Sequence, residues 1–507
     1  MKMEFTDLII TLVLVFLLPS LTLIIVRKAA NRKTQINLPP GPWKLPFIGS
    51  LLHLVTASQP HHALRNLARS HGPVMLLRVG EIDVVVVSSS EAAQQVMQTQ
   101  DANFGSHPKL SLSDLLFYGS TDILYSEGVY WRQLRRICNT DLLAAGRVSS
   151  FASIRQEEVI SMLRAFCKES FDRTPVNMRT KLAEMVNNVI CRSAFRERCK
   201  SQERLLEIMK QITELGSRFS FSDLFPSFNW LDVKRRRRLE TIHRELDMIL
   251  DDTIKEHLRV PKEQNVIDDD IEDLADALLK AKEQGDLEVP LTLDNIKAVM
   301  LDVFIAGTDT PLSTLEWAMS ELMRHPTVMA KAQAEVRQAM REKTHIDENT
   351  LFELSYLKLV IKETLRLHPP VPLIPRFCKS TCKLLGYTIP SGTRLLINAW
   401  DLGRDPRYWT DANEFKPERF ERVGVDFRGQ NFEFVPFGAG RRICPGLLFS
   451  TVLMEMALAH ILLHFDWELP DGIGEHDLGM TEGSGAFVAK RKPLCLVPIL
   501  KIPLPDF

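Results

Sequence analysis

The sequence predicts a mainly helical fold with a minor β-sheet region, in one large domain that follows a membrane-spanning helix. Long stretches with apolar residues three and four positions apart occupy most of the chain, as in amphipathic helices. Runs rich in β-branched residues are few and short, which favours small sheets only. No Gly/Ser or Pro linker divides the chain after residue 42, so its 507 residues are predicted to form a single domain.

The composition is that of a globular protein without a dominant charge. The net charge is −1, with 45% hydrophobic and 25% charged residues, which excludes nucleic-acid binding through a global positive field. The eight cysteines are scattered without a C-x-x-C pair, which argues against a disulfide-stapled secreted fold. Cys378 and Cys382 lack a second pair or a nearby histidine, so we expect structural thiols rather than a metal site.

An apolar segment near the N-terminus, residues 8–26, is predicted to cross a membrane, because it is long enough to span the hydrocarbon core. Four basic residues follow it: Arg27, Lys28, Arg32 and Lys33. The positive-inside rule therefore places everything after residue 27 in the cytosol. A cleaved signal peptide is the alternative, but it requires positive charge before a shorter apolar core and an A-x-A-like site. We predict an uncleaved anchor over residues 1–27, a basic and proline-rich linker over 28–50, and the folded domain over 51–507.

Short strands are predicted to interrupt a series of helices. Residues 74–88 are rich in valine, with Gly80 at a turn, and predict a β-hairpin. Further strand candidates lie within residues 384–400 and 493–500. Apolar periodicity predicts helices over residues 91–98, 129–143, 149–169, 176–195, 235–257, 294–325, 326–340 and 357–368.

Two charged runs have simple interpretations. The acidic run DDDIED, residues 268–273, is typical of a solvated helix start, where negative charge suits the helix dipole. The basic run KRRRR, residues 234–238, follows the apolar segment 221–231 and predicts either contact with anionic lipid headgroups or a solvated helix face.

A cysteine among glycines is the strongest chemical signal. In FVPFGAGRRICPGLLF, three glycines let the backbone turn tightly and approach a flat ligand around Cys444. A helix that starts near Leu447 aims free N–H groups at the sulfur. Both features favour a thiolate, and a cysteine thiolate is one of the ligands that hold haem iron.

The run F-x-x-G-x-R-x-C-x-G resembles the signature of the cytochrome P-450 family, in its membrane-anchored plant type, and the resemblance extends through essentially the whole chain. It implies the cytochrome P-450 fold and a haem b cofactor. It further implies that Cys444 is the proximal iron ligand, that Phe437 packs near the sulfur, and that Arg442 contacts a haem propionate.

Other segments carry the same resemblance. KETLRLHPP and FKPERF supply Glu363, Arg366 and Arg419, which resemble the structural triad of the family. WRQLRR places Trp131 and Arg135 four apart on one helix face, where an indole N–H and a guanidinium reach carboxylates. The resemblance implies that this pair holds haem propionates. It implies the same role for the arginine of LIPR, which is Arg376.

The oxygen side is predicted in DVFIAGTDTPLSTLEW. Small side chains at Ala306 and Gly307 open a groove in a helix, and a helix-packing groove is the alternative interpretation. The resemblance implies that Asp309 and Thr310 are catalytic and support proton delivery at the oxygen site. Pro311 departs from the family pattern, in which Ser or Thr is usual. It cannot donate to the Gly307 carbonyl, so we expect the helix to kink or widen there.

The resemblance implies a haem-thiolate monooxygenase that inserts one oxygen atom of O2 into a hydrophobic small molecule. The chain has no G-x-G-x-x-G or P-loop, so electrons are expected from a separate NADPH–cytochrome P-450 reductase on the endoplasmic reticulum membrane. Docking candidates, with a solvated surface as the alternative, are Arg132, Arg136, Lys416, Arg428 and Arg441. A haem-thiolate isomerase or dehydratase that needs no O2, and a non-catalytic haem sensor, remain alternatives. Asp309 and Thr310 count against both.

The substrate pocket is predicted from the resemblance to be almost entirely apolar. Its candidate positions are Leu115, Leu116, Val303, Phe304, Ala306, Val371, Leu373, Ile374, Ala486 and Phe487. Such a lining suits a hydrocarbon-like molecule. We rank a plant terpenoid first, ahead of a fatty acid, a phenylpropanoid or an indole-type compound.

Overall fold

The protein is represented by a computed structural model. It describes residues 37–55, 59–195, 202–217, 220–259, 273–285, 287–341, 343, 346–472, 474, 478–483, 485 and 487–504. The predicted membrane anchor lies outside these ranges, as does the first part of the basic linker.

Helices dominate the described chain, as predicted. They are α1 Leu52–Val55, α2 Pro60–His71, α3 Ser90–Gln94, α4 Asp101–Phe104, α5 Ser111–Leu116, α6 Gly128–Ile137, α7 Ala145–Ser150, α8 Ala152–Asp172, α9 Met178–Phe195, α10 Gln202–Ser217, α11 Phe221–Leu224, α12 Val233–Arg259, α13 Leu274–Gln284, α14 Leu293–Arg324, α15 Pro326–Ala339, α16 Glu348–Glu353, α17 Ser355–Leu367, α18 Ala399–Leu402, α19 Arg419–Val423 and α20 Leu447–His464. A 3₁₀ turn covers Pro226–Leu231 and another covers Gly440–Arg442.

The helix predictions hold with local corrections. The helix predicted over 129–143 passes into a π turn at Cys138–Leu142. The segment predicted over 149–169 is two helices, because Phe151 leaves helical geometry at φ −84° and ψ 11°. The helix predicted over 176–195 begins only at Met178, since the two residues before it form a short strand.

Within the described ranges, three small sheets accompany the helices. The largest contains β1 (Val74–Val79), β2 (Ile82–Val87), β7 (Arg394–Asn398) and β4 (Leu373–Phe377), in that order. Its β1–β2 hairpin turns at Gly80 with φ 61°, which confirms the predicted turn. The second sheet orders β3 (Val176–Asn177), β9 (Cys495–Leu500) and β8 (Phe465–Glu468), and the third pairs β5 (Cys382–Leu384) with β6 (Tyr387–Ile389).

Helix α14 is the long central helix, and Pro311 does not interrupt it. The residues from Leu293 to Arg324 form one α-helix with the proline inside it. The expected kink is therefore not a break in helical structure. The Gly307 carbonyl still lacks its usual donor, because proline has no N–H.

Helix α20 follows the cysteine loop and is apolar enough, over 18 residues, to cross a bilayer. Within the protein 72% of that stretch is buried, so it is a core helix. It packs against α8 and α14 and carries the thiol loop at its N-terminal end. This packing fixes the position from which Cys444 is presented.

Candidate active site

The cysteine loop has the tight geometry that its glycines predict. Cys444 N donates to the Phe437 carbonyl at 2.9 Å, which closes the loop ahead of α20. Gly438 and Gly440 adopt φ angles of 70° and 69°, which favour glycine. A Cβ at Gly440 would fall 1.8 Å from the Met97 carbonyl oxygen, so any other residue would push the loop away from this neighbour.

The Cys444 sulfur is half-buried and receives a hydrogen bond from the Gly446 N–H. Burial raises the pKa of the Cys444 thiol, while the Gly446 N–H and the Arg135 charge act in the opposite direction. The Gly446 N–H therefore acts on the sulfur in the direction that the sequence predicts, while burial acts against it. A metal cation at the sulfur supplies the charge that makes a coordinating thiol deprotonate.

Arg135 and Trp131 lie beside this loop. Arg135 Nη2 donates to the Ile443 carbonyl at 2.6 Å, immediately before the cysteine. The Trp131 indole N–H is buried without an acceptor. A buried donor of this kind costs free energy until a ligand atom accepts from it.

Arg442 is anchored mainly by backbone carbonyls. Its Nε donates to Gly105 O at 2.7 Å, and its two terminal nitrogens donate to the carbonyls of Ile123, Leu124 and Ser126. Burial, followed by the charge of Arg376, lowers the pKa of Arg442 to about 10. The guanidinium has one N–H beyond these four hydrogen bonds for a ligand.

Arg376 on β4 is buried on the other side of the loop. Its Nη1 donates to His107 Nε2 at 3.0 Å and to the Pro375 carbonyl at 2.9 Å. Its Nε is buried without an acceptor. Burial lowers the pKa of Arg376 to about 10, with Asp101 acting in the opposite direction.

These groups fit a ligand that carries carboxylates. Within the described ranges, Arg135, Arg376 and Arg442 form no salt bridge with a carboxylate. Trp131 and Arg376 add orphaned buried donors. Haem offers two propionates to such groups and an iron to the sulfur, so the side chains around the loop fit haem.

The oxygen-side residues lie on α14. Thr310 Oγ1 donates to the Ala306 carbonyl at 2.8 Å, one turn earlier. The Thr308 hydroxyl is buried without a partner. A Cβ at Gly307 would lie 2.7 Å from Ile190 Cδ1, so glycine lets α9 pack closely against α14. This contact favours the helix-packing interpretation at Gly307, whereas Ala306 stays exposed.

The structural triad is confirmed. Arg366 forms two hydrogen bonds with Glu363, at 2.7 and 2.8 Å, and Arg419 Nε reaches the same carboxylate at 2.9 Å. Glu363 and Arg366 are fully buried. Arg366 also donates to the carbonyls of Gly403 and Ala412, so the triad ties α17 to the segment before α19.

The predicted pocket positions separate into groups. Leu116, Phe304 and Ile374 are buried, whereas Val303, Val371, Leu373 and Phe487 are half-buried. Leu115 lines a surface cavity of about 630 Å³ between α5, the Pro226–Leu231 turn and the start of α12. Ala486 lies outside the described residues.

The cysteine pair Cys378 and Cys382 lies partly in the protein interior. Cys378 is buried and Cys382 half-buried, and both are free thiols. Burial, followed by Cys382, raises the pKa of the Cys378 thiol to about 12, so it is not a reactive thiolate.

Three further groups around the site are not part of any predicted motif. His107 accepts from Arg376, and burial and the two neighbouring arginines hold its pKa well below the usual range. Asp302 and Asp122 are neighbouring carboxyls near Arg442. A signal was present for Asp302, since an acid inside the apolar run AVMLDVFIAG is unusual in a buried helix.

A loop cysteine at a core helix, near guanidiniums that form no salt bridge within the described ranges, fits the class of haem-thiolate proteins. The family model described as Cytochrome P450 matches residues 39–496, and the chain belongs to that family. Its relatives act as oxygenases, hydroxylases and synthases by name, and the protein is an oxidoreductase of the monooxygenase type.

Three similar plant proteins cover almost the whole chain. Desmethyl-deoxy-podophyllotoxin synthase of Sinopodophyllum hexandrum is 47% identical over 487 residues, which is 95% of each chain. Premnaspirodiene oxygenase of Hyoscyamus muticus is 47% identical over 96% of this chain and 97% of its own. 5-Epiaristolochene 1,3-dihydroxylase of Nicotiana tabacum is 46% identical over the same shares.

Proposed function

We propose that this protein inserts one oxygen atom of O2 into a plant terpenoid at a haem b bound by Cys444, with NADPH electrons from a separate cytochrome P-450 reductase. The observation that carries the proposal is the cysteine loop with its ring of guanidiniums that have no carboxylate partner. Bound haem supplies the reductive activation of O2. The chain's own residues hold the haem, orient the substrate and move protons.

Six side chains contact the haem in this proposal. Cys444 binds the iron, and Phe437, whose ring lies edge-on to Phe427 with centroids 5.2 Å apart, shields the sulfur from water. Trp131, Arg135, Arg376 and Arg442 receive the two propionates. Their unmatched donors and charges, described above, become satisfied when the carboxylates bind.

Protons reach the oxygen site through α14. The Thr310 hydroxyl lies one turn from Ala306 and is oriented by the Ala306 carbonyl. Asp309 is its neighbour in the sequence and supplies a titratable group. Because Pro311 cannot donate the usual hydrogen bond to the Gly307 carbonyl, we propose that this carbonyl accepts from a water in the relay.

The lining and two of the relatives support a terpenoid substrate. The half-buried positions Val303, Val371, Leu373 and Phe487 offer no charged or hydrogen-bonding side chain. Two of the relatives are named for oxidation of premnaspirodiene and 5-epiaristolochene. An apolar terpenoid matches both observations better than a fatty acid, whose carboxylate needs a polar partner.

An exposed apolar surface supports membrane attachment at the endoplasmic reticulum. Trp43 and Phe47 are 60% and 76% exposed, and Trp230 is 67% exposed. These residues belong to two segments of the chain, one before β1 and one before α12, which meet at the β1–β2 turn. There Gly80 N donates to Ile48 O, and Glu81 N donates to Leu224 O. The proposed anchor, residues 1–27, precedes this surface in the sequence, and the surface is proposed to contact the cytosolic leaflet.

The proposed reductase surface lies around the cysteine loop. Its candidates Arg132, Arg136, Lys416, Arg428 and Arg441 are all exposed. Lys416 is paired with Asp411 at 2.6 Å, and Arg441 Nε lies 3.7 Å from Asp101. Arg132 and Arg136 lie on an exposed face of α6, about a quarter turn of the helix away from the face that carries Trp131 and Arg135.

The iron ligand is tested with Cys444→Ser. The reduced carbon monoxide complex of the wild type is expected to show the thiolate-type spectrum, and the variant is expected to lose it. Cys495→Ser, which alters an exposed thiol on β9, is the control. A thiolate-type spectrum that survives in the Cys444 variant contradicts the assignment.

The reaction is tested with the full-length protein, a plant reductase, NADPH and a panel of terpenoid hydrocarbons. We expect a hydroxylated or epoxidised product that requires both NADPH and O2. A product formed without either one identifies an isomerase or dehydratase.

Deleting residues 1–27 is expected to leave a folded haem protein with reduced membrane affinity, and loss of haem binding would place the anchor within the fold.

A further inference from the structure

A carboxylate on the oxygen-side helix reaches the loop that precedes α6. Asp302 lies on α14, one turn before Ala306. Its Oδ2 accepts hydrogen bonds from Ile123 N at 2.8 Å and from Leu124 N at 3.1 Å. A carboxylate that binds two backbone donors fixes their position more strongly than a neutral acceptor does.

Arg442 binds the same two residues from the opposite side. Its Nη1 donates to the Ile123 carbonyl at 2.9 Å and to the Leu124 carbonyl at 3.2 Å. The Ile123 carbonyl and the Leu124 N–H belong to one peptide group. That group therefore directs its hydrogen to an anion and its oxygen to a cation, and the two hydrogen bonds polarise it in the same sense.

The charges of Asp302 and Arg442, on the two sides of this peptide group, depend on each other. Within the described ranges Arg442 has no direct salt bridge. Burial raises the pKa of Asp302 to about 6, and the N–H groups of Leu124 and Ile123, followed by Asp122 and Arg442, act to lower it. The ionised carboxylate is thus stabilised by the same peptide groups that carry the guanidinium.

Asp122 lies in the loop before α6, next to Ile123, and is the second carboxyl at this position. It is fully buried, its Oδ1 accepts from Tyr125 N at 3.1 Å, and its Oδ2 has no donor. Burial, followed by the charge of Asp302, raises the pKa of Asp122 to about 9. A protonated Asp122 donates to Asp302, which satisfies the orphaned oxygen and leaves a single negative charge at the pair.

We propose that Asp302 is a positioning residue for the haem-binding loop. Through the peptide groups of Ile123 and Leu124 it sets the guanidinium of Arg442, two residues before Cys444. The oxygen-side helix and the thiolate loop are then held at a fixed separation by one hydrogen-bonded unit. Asp302 touches neither haem nor substrate in this role. The inference rests on haem binding at Cys444 and is independent of the substrate.

The test is a double-mutant cycle with Asp302→Asn and Arg442→Lys, read as the rate of haem loss to a haem-scavenging protein. The amide keeps the shape of Asp302 and its acceptor oxygen but removes the charge. We expect Asp302→Asn to speed haem loss about tenfold in the wild-type background. In the Arg442→Lys background we expect about a twofold effect or less, because the partner is already changed. Asp294→Asn, an exposed acid at the start of α14, is the control and is expected to change neither rate.

Equal effects of Asp302→Asn in both backgrounds would overturn the proposal, since an independent structural role is additive. If Asp302→Asn does not fold, hydrogen exchange in wild type and Arg442→Lys decides. Arg442→Lys weakens the hydrogen bonds to the carbonyls of Ile123 and Leu124. We therefore expect the amide protons of these two residues to exchange about tenfold faster in this variant. Unchanged exchange there contradicts the proposal. These readouts need no substrate and no reductase, so they stand apart from the test of the monooxygenase reaction.

Discussion

The guanidinium carbon of Arg442 lies 4.1 Å from the ring centre of Trp131, over the indole face. The ring holds the planar cation in one orientation, while the indole N–H remains buried without an acceptor. One residue thus orients an arginine and at the same time presents a donor. The proposed function assigns this pair to a haem propionate.

Trp131→Phe separates the two contributions. Phenylalanine keeps an aromatic face under Arg442 but has no N–H. We expect haem loss to accelerate about tenfold, which is the effect of removing one hydrogen bond to a charged acceptor. Haem transfer to a scavenging protein measures it, with Trp230→Phe on the exposed loop as the control. Unchanged haem loss would show that the indole N–H does not face a propionate.

Thr310→Ala is expected to uncouple the reaction. NADPH and O2 remain consumed, but more hydrogen peroxide and less product form, because a methyl group cannot relay a proton. Thr314→Ala is a matched control, since the Thr314 hydroxyl makes the same type of bond, to Thr310 O at 2.9 Å, one turn further along α14. The ratio of product to NADPH decides the matter. An unchanged ratio in Thr310→Ala assigns proton delivery to Asp309 or water.

Glu363→Gln is expected to destabilise the protein by about 3–5 kcal/mol, because it leaves two arginines around a neutral amide in a buried network. Glu414→Gln is a control from the same network. Glu414 contributes only its backbone carbonyl, to Arg366 and Arg419, and its side chain is exposed. Thermal unfolding with haem absorbance measures both variants. Equal midpoints for the Glu363 variant and the wild type would contradict a structural role.

Side-chain motifs with a fixed spacing were predictable, and contacts through the backbone were not. The triad of Glu363, Arg366 and Arg419 follows from charge, spacing and order along the chain. The contacts of Arg442 go to carbonyls more than 300 residues away. Every residue has a carbonyl, so the sequence carries no signal for which of them will bind the guanidinium.

The helix corrections have similar causes. Apolar periodicity predicted one helix over residues 149–169, because a buried phenylalanine at position 151 fits the pattern whether the helix continues or ends there. The pKa of Cys444 depends on contacts of a different kind. Glycine turns and a helix N-terminus are visible in the sequence, whereas the burial that raises the pKa of Cys444 depends on packing from distant segments.

The protein is expected to lose stability as the pH rises, because of Glu455 on α20. It is half-buried, and burial raises its pKa to about 7, with Lys358 and Lys362 acting in the opposite direction. A carboxyl whose pKa is higher in the folded protein than in the unfolded chain binds its proton more tightly in the folded protein. Its destabilising effect therefore appears as the pH rises from the unfolded pKa, near 4.5, through the folded pKa, near 7.

Glu455→Gln removes this titration while it keeps the side-chain shape. At about pH 8 we expect the variant to be more stable than the wild type by up to about 3 kcal/mol, because the wild type must ionise a carboxyl in a poorly solvated position. At about pH 5 most of the wild-type carboxyl is protonated in the folded state, so the two proteins are expected to differ by less than about 1 kcal/mol. Thermal midpoints of both proteins at the two pH values give the comparison. A difference that stays the same at both values would mean that Glu455 does not change protonation on folding, and that its effect is one of packing alone.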